Sequence, residues 1–109
     1  MTVSALNLTD HTFAAEVLQS EVPVLVDFWA PWCGPCRVMS PIVDQVSAEL
    51  GDRARVVKVN IDEAQATALR YGITSIPSFA VIRGGEVQQR FSGVVPKARL
   101  LGALDPHLG

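Results

Sequence analysis

Hydrophobic and polar positions alternate between two periods along this chain, and the switches between them mark out its elements. A short strand is expected near Val3 to Leu6. Thr9 then reads as a helix N-cap, with Leu8 before it and Phe13 after it at the two positions of a hydrophobic staple, and the helix should run to about Gln19. Val22 to Trp29 is almost wholly apolar and β-rich, the pattern of a strand buried on both faces in a parallel sheet. Met39, Ile42, Val43, Val46 and Leu50 recur at helical spacing, with Pro41 inside that helix expected to kink it and Gly51 as its stop.

Arg55 to Ile61 reads as a second central strand, followed by a short Ala-rich helix over about Glu63 to Tyr71. Phe79 to Ile82 and Val87 to Phe91 flank Gly84-Gly85, a pair that tolerates positive φ and suits a tight hairpin turn. A last helix starts near Pro96, carries Leu100, Leu101, Leu104 and Leu108 on one stripe, and loses regularity at Pro106. The order is βαβαβαββα. Alternation in the first half implies parallel strands with helical crossovers, and the closing hairpin adds antiparallel ones. The fold class is therefore α/β: a mixed central sheet of about five strands flanked by about four helices.

Composition narrows the possibilities without changing that picture. The 109 residues, 49% hydrophobic and 18% charged, suit one globular domain spanning 1–109. A net charge of −2 argues against nucleic-acid binding, which calls for a basic surplus. No apolar run approaches the roughly 18 residues that cross a bilayer, since Val22 to Ala30 is interrupted by Asp27. Met1-Thr2-Val3-Ser4 lacks the charged and apolar regions of a signal peptide, so a cytoplasmic location is the default expectation. Two cysteines cannot staple a fold. In a reducing compartment a close pair reads as catalytic or metal-binding.

The pair is Cys33 and Cys36, in Trp32-Cys33-Gly34-Pro35-Cys36. Residues three apart on a helix bring their Cβ atoms to roughly 5–6 Å, within reach of a disulfide that opens and closes with little backbone movement. The motif lies where a buried strand ends and a helix begins. Cys33 would be the N-cap. Pro35 has no N–H, so the N–H of Cys36 is the expected donor to the Cys33 sulfur. The positive end of the helix dipole favours a thiolate at that place, and the thiolate is the nucleophile. Cys36, one turn inward, should be the less exposed. Cys33 would then attack a substrate disulfide and Cys36 resolve the mixed disulfide. A zinc site would need further paired ligands, and only His11 and His107, at opposite ends of the chain, remain as soft donors. A static disulfide would close too small a loop to gain much chain entropy.

The run Phe28-Trp29-Ala30-Pro31-Trp32-Cys33-Gly34-Pro35-Cys36 resembles the active site of the thioredoxin family. The resemblance continues through Pro41, Val57 to Asp62, Tyr71-Gly72-Ile73, Ser75-Ile76-Pro77, Gly84-Gly85 and Gly93. It implies the thioredoxin fold and a monomeric reductase of protein disulfides. It also implies recharging by a thioredoxin reductase, no cofactor bound to this chain, and disulfide-containing client proteins rather than nucleic acid or membrane as partners. The Gly-Pro between the cysteines matches the reducing members; isomerases and strong oxidants carry a His there. The alternative from another class is a thioredoxin-like binding or holdase subunit with incidental redox activity.

Asp27 and Lys58 stand out on physical grounds. Each lies in an apolar strand, and a buried carboxylate rises in pKa unless it is well paired. Parallel neighbours could bring the two together as a buried structural ion pair. The resemblance implies instead an acid beneath Cys36 that assists its deprotonation, so that Asp27 would take its proton, and Lys58 is expected to tune it. Only about 5–6% of X–Pro bonds are cis, yet the resemblance implies a cis Ile76–Pro77 bond against the cysteines. The Ile76 backbone would then pair with an extended substrate peptide; the plain reading is a strand-opening proline. Trp32, Gly34, Pro35 and Gly93 would frame a shallow apolar surface around Cys33, with Trp29 packed under it. Ser92 stands where many relatives have an apolar residue, a departure that bears on partner preference. Phe13, Met39, Phe79 and Phe91 are expected in the core, and His11 and His107 in solvent.

Overall fold

Five strands form one sheet in the order β1-β3-β2-β4-β5 in the computed structural model, which describes residues 5–109. They are β1 (Leu6–Leu8), β2 (Val24–Trp29), β3 (Arg55–Asn60), β4 (Ser78–Arg83) and β5 (Glu86–Ser92). β1 and β2 both run parallel to β3, and β4 is antiparallel to β2 and β5. The mixed sheet expected from the sequence is thus present, with β2 and β3 inside it. Val3 and Ser4, in the expected first strand and N-terminal segment, lie outside the described residues, and β1 begins at Leu6.

Among the described residues four helices accompany the strands, besides two short 3-10 turns: α1 (Ala14–Leu18), α2 (Gly34–Leu50), α3 (Gln65–Arg70) and, after the last strand, α4 (Lys97–Leu104). Thr9 does not cap α1, whose N-cap is Phe13 with no side-chain hydrogen bond; it closes the turn that precedes the helix instead. Its Oγ1 accepts the His11 N–H at 3.2 Å, while the Thr12 hydroxyl accepts the Thr9 N–H at 2.9 Å. Leu8 and Phe13 are both buried in one cluster, as a staple requires. The segment then widens into a π-helical turn, with the Gln19 N–H reaching back to the Ala14 carbonyl at 3.1 Å. α2 is continuous across Pro41 and ends at Gly51. Pro96 is the cap of α4 rather than part of its first turn. Both Gly84 (φ 59°) and Gly85 (φ 79°) have the left-handed backbone that a two-residue hairpin demands.

Alternation along the strands divides the core into two layers. Leu25, Val56, Phe79 and Val81 face Met39, Val43 and Val46 of α2 and Leu100, Ala103 and Leu104 of α4. Val24, Val26, Phe28, Val57, Val59 and Ile82 face the other way, onto Phe13, Val17 and Ala64. Each large side chain so buried contributes about 1.5–3 kcal/mol relative to exposure. Phe91 departs from the expectation of full burial. It lies on edge strand β5, stacked on Phe79 at 5.4 Å, with the Arg99 guanidinium over its ring at 3.9 Å. His11 is exposed, and His107 is half-buried with its carbonyl bound by Arg83. Among the described residues no helix is long and apolar enough to cross a membrane.

One contact was not legible in the sequence. Asp10 crosses to the start of α3, where its carboxylate accepts the Thr67 N–H (2.8 Å), the Thr67 hydroxyl (2.6 Å) and the Ala66 N–H (3.3 Å). The Thr67 hydroxyl bond, above all, holds the Asp10 carboxyl below the usual carboxylate range. A cap supplied from another element leaves no local spacing to read.

Candidate active site

The cysteines sit at the carboxyl end of β2, where the chain turns from the sheet into α2. The Cys33 N–H closes this turn onto the Ala30 carbonyl at 3.1 Å, and Arg37 braces it by donating to the Pro31 carbonyl at 2.8 Å. Cys33 is the N-cap of α2, extended in backbone, and its Sγ accepts the Cys36 N–H at 3.2 Å. This is the capping bond that the Pro35 position predicts. The two cysteines are joined as a disulfide with 5.3 Å between their Cα atoms.

Cys36 is the less exposed of the two, as expected, but only slightly: the residues are 3% accessible at Cys36 and 5% at Cys33. In the disulfide each sulfur covers the other, and Ala30, Trp29, Ile61 and Ile76 pack around the pair. The inequality between the cysteines lies in their surroundings instead. Cys33 holds the helix cap, whereas Cys36 lines a cavity of about 200 Å³ that it shares with Asp27, Lys58, Ser40, Trp29 and Asn7.

Asp27 is 2% exposed, and its Oδ1 has no hydrogen-bond partner among the described residues. Burial pushes its carboxyl up to about 7, the Lys58 ammonium pulls against that rise, and the Asp44 carboxylate adds to it. Asp27 and Lys58 are register partners across β2 and β3, so both point from the same face of the sheet. The buried Asp27–Lys58 ion pair that this proximity suggested is nonetheless not formed. Lys58 Nζ lies 3.0 Å from Asp44 Oδ1 and donates to Ser40 Oγ at 2.7 Å. The reason is reach. The four-carbon lysine stem carries its ammonium past the short Asp27 carboxyl and onto α2. Ser40 and Asp44 were not singled out in the sequence. The signal was their spacing: Cys36, Ser40 and Asp44 follow one another at i, i+4 and i+8 on one helix stripe.

Around the cysteines the expected docking residues fall as follows. Trp32 is 65% exposed, its ring held by Nε1 donating to Asp62 Oδ2 at 3.0 Å, and Gly34 and Pro35 are exposed beside it. The Ile76–Pro77 bond is cis. Ile76 packs against the cysteine pair, and the buried Pro77 accepts the Gly93 N–H at 2.9 Å, which brings Gly93 to the same edge. Ser92 is exposed next to it. Trp29 is half-buried against the cysteines, with its Nε1 donating to Asn7 at 3.2 Å.

Comparison with known proteins agrees with the fold. The family model described as Thioredoxin matches residues 4–106. Thioredoxin 1 of Synechococcus elongatus is 50% identical over 108 residues, covering 99% of this chain and all of that protein. Thioredoxin 1 of Nostoc sp. is 50% identical over 105 residues, 96% of this chain and 98% of its own. A chloroplastic M-type thioredoxin of Chlamydomonas reinhardtii is 48% identical over 101 residues, 93% of this chain and 72% of its own. The binding-subunit alternative is not favoured by full-length similarity together with an intact Cys33–Cys36 pair. The protein is a thiol–disulfide oxidoreductase with protein-disulfide reductase activity, and the chain belongs to the thioredoxin family.

Proposed function

We propose that Cys33 is the attacking thiolate, Cys36 the resolving thiol, and Asp27 the acceptor of the Cys36 proton. The observation that carries this reading is the division of surroundings: a helix cap at Cys33, and a cavity shared with a partnerless carboxyl at Cys36. In the reduced protein, Cys33 Sγ would attack one sulfur of a client disulfide. A bond forms between Cys33 and that sulfur, and the client's other sulfur leaves as a thiolate. Cys36 then gives its proton to Asp27 and attacks Cys33 Sγ. The Cys33–Cys36 bond forms, the Cys33–client bond breaks, and the second client thiolate departs and is protonated from solvent or through Asp27. The client gains two electrons and the cysteine pair loses two. A carboxyl held near neutrality is suited to take that proton and give it back.

The client would lie across Trp32, Gly34, Pro35, Ile76, Pro77 and Gly93. Exposed apolar area at Trp32 and the packing of Ile76 against the cysteine pair support this, and main-chain pairing beside Ile76 would be tolerant of client sequence. The family implies disulfide-bearing clients and a reductase partner in general. We take that partner to be a thioredoxin reductase, the working form to be a monomer of one 1–109 domain, and the compartment to be the cytoplasm. Neither nucleic acid nor membrane is a partner in this reading, in keeping with the net charge of −2. Precipitation of insulin in the presence of a small dithiol tests the activity. The protein is expected to accelerate it, and Cys33→Ser to abolish the acceleration; a rate equal to that of the dithiol alone contradicts the reading.

A further inference from the structure

The cavity beneath Cys36 is lined by a cation that pairs with a helix rather than with its register partner. Lys58 is 7% exposed. Its ammonium has a strand neighbour, Asp27, whose Oδ1 has no hydrogen-bond partner among the described residues. Yet the ammonium is bound to α2 by three contacts: Ser40 Oγ at 2.7 Å, Asp44 Oδ1 at 3.0 Å and the Ser40 carbonyl at 3.5 Å. Asp44 is itself fixed, since the same Oδ1 accepts the Ala5 N–H at 3.0 Å. A buried cation with two acidic neighbours is thus paired with the one on the helix.

We propose that Ser40 and Asp44 are positioning residues of the exchange reaction, holding the Lys58 ammonium against α2 and away from the Asp27 carboxyl that shares a cavity with Cys36. The physical consequence concerns which charge state Asp27 prefers. In a cavity of low polarity an ammonium that closed on Asp27 would favour its charged form strongly, and an ammonium held elsewhere favours it weakly. Asp44 acts in the same direction twice, by drawing Lys58 off and by placing a second negative charge nearby. Ser40 carries no charge and acts through geometry alone. The charged or titratable groups at this cavity are Lys58 from β3 and Cys36, Arg37 and Asp44 from α2; β1 and β4 present the uncharged Asn7 and Phe79. The inference rests on Asp27 as the proton acceptor only for its catalytic meaning, not for the positioning itself.

The test is the titration of the Asp27 carboxyl carbon by NMR in the oxidised protein, where the cysteines do not titrate. Asp44→Asn is expected to lower its midpoint by about one pH unit, the scale of an opposite charge brought close. Ser40→Ala should lower it by less but in the same direction, and Ser40→Thr, which keeps the hydroxyl, should restore it. In a Lys58→Met background the Ser40→Ala change should vanish. A midpoint unmoved or raised by Ser40→Ala overturns the proposal, as does an equal change with Lys58 absent. The pH profile of mixed-disulfide resolution by Cys36, measured on the same variants, separates the two claims. If the Asp27 midpoint moves and the profile does not, the positioning stands and the role of Asp27 as acceptor fails.

Discussion

Replacing Asp27 by Asn removes a titratable group while keeping its size, and the gain in stability should depend on pH in a way the structure fixes. Folding lifts the carboxyl from 3.8 to about 7. Between those values the folded chain binds more protons than the unfolded one, so stability falls as pH rises. The favourable contribution is complete below the unfolded value and is lost by the time pH passes the folded one. At about 1.4 kcal/mol for each pH unit, the loss reaches about 4 kcal/mol near pH 8. Asn at position 27 is neutral throughout and does not incur it. Urea unfolding of the two oxidised proteins at several pH values reads the difference, and His11 and His107, present in both, cancel. The variant's advantage should be small near pH 4, grow through pH 5 and 6, and level off above pH 7. With slopes of about 1–3 kcal/mol/M for small domains, the midpoint at pH 8 should rise by more than about 1 M. A difference between the proteins that stays constant from pH 4 to 8 would refute the reasoning, because Asp27 would then not titrate within the fold.

Other changes have expected outcomes of their own. Phe79→Ala, at a fully buried position under α2 and α4, should cost about 3–5 kcal/mol in chemical unfolding. Trp32→Ala should raise the KM for protein clients while leaving the unfolding midpoint almost unchanged, because the ring is mostly exposed. Asp10→Asn should lower the melting temperature at neutral pH. That deficit should shrink as pH falls through the depressed folded-state pKa of Asp10, where the wild-type carboxylate loses its charge-assisted bonds to α3.

Much of the fold was legible because it rests on local rules. The apolar run of β2, the helical spacing from Met39 to Leu50, and the Gly84-Gly85 turn each follow from a few neighbouring residues. So does the cap at Cys33, since Pro35 leaves the Cys36 N–H as the donor. The features that escaped depend on distance in the chain. Asp10 caps a helix whose start lies more than fifty residues away. Lys58 chooses between two acids, one across the sheet and one on a helix, and only three-dimensional reach decides it. The near-equal burial of the cysteines reflects the disulfide that joins them, whereas reasoning from the dithiol made them unequal. The π-helical widening of α1 has no sequence signal we can name.

The central claim is that the two cysteines have different roles, and trapping measures it most directly. Reduced Cys36→Ser and Cys33→Ser proteins are each mixed with a disulfide-bonded client, and the products are weighed by mass spectrometry. The account predicts a stable client adduct on Cys33 in the Cys36→Ser protein and little or none on Cys36 in the Cys33→Ser protein. Equal adducts on both, or an adduct confined to Cys36, would contradict it.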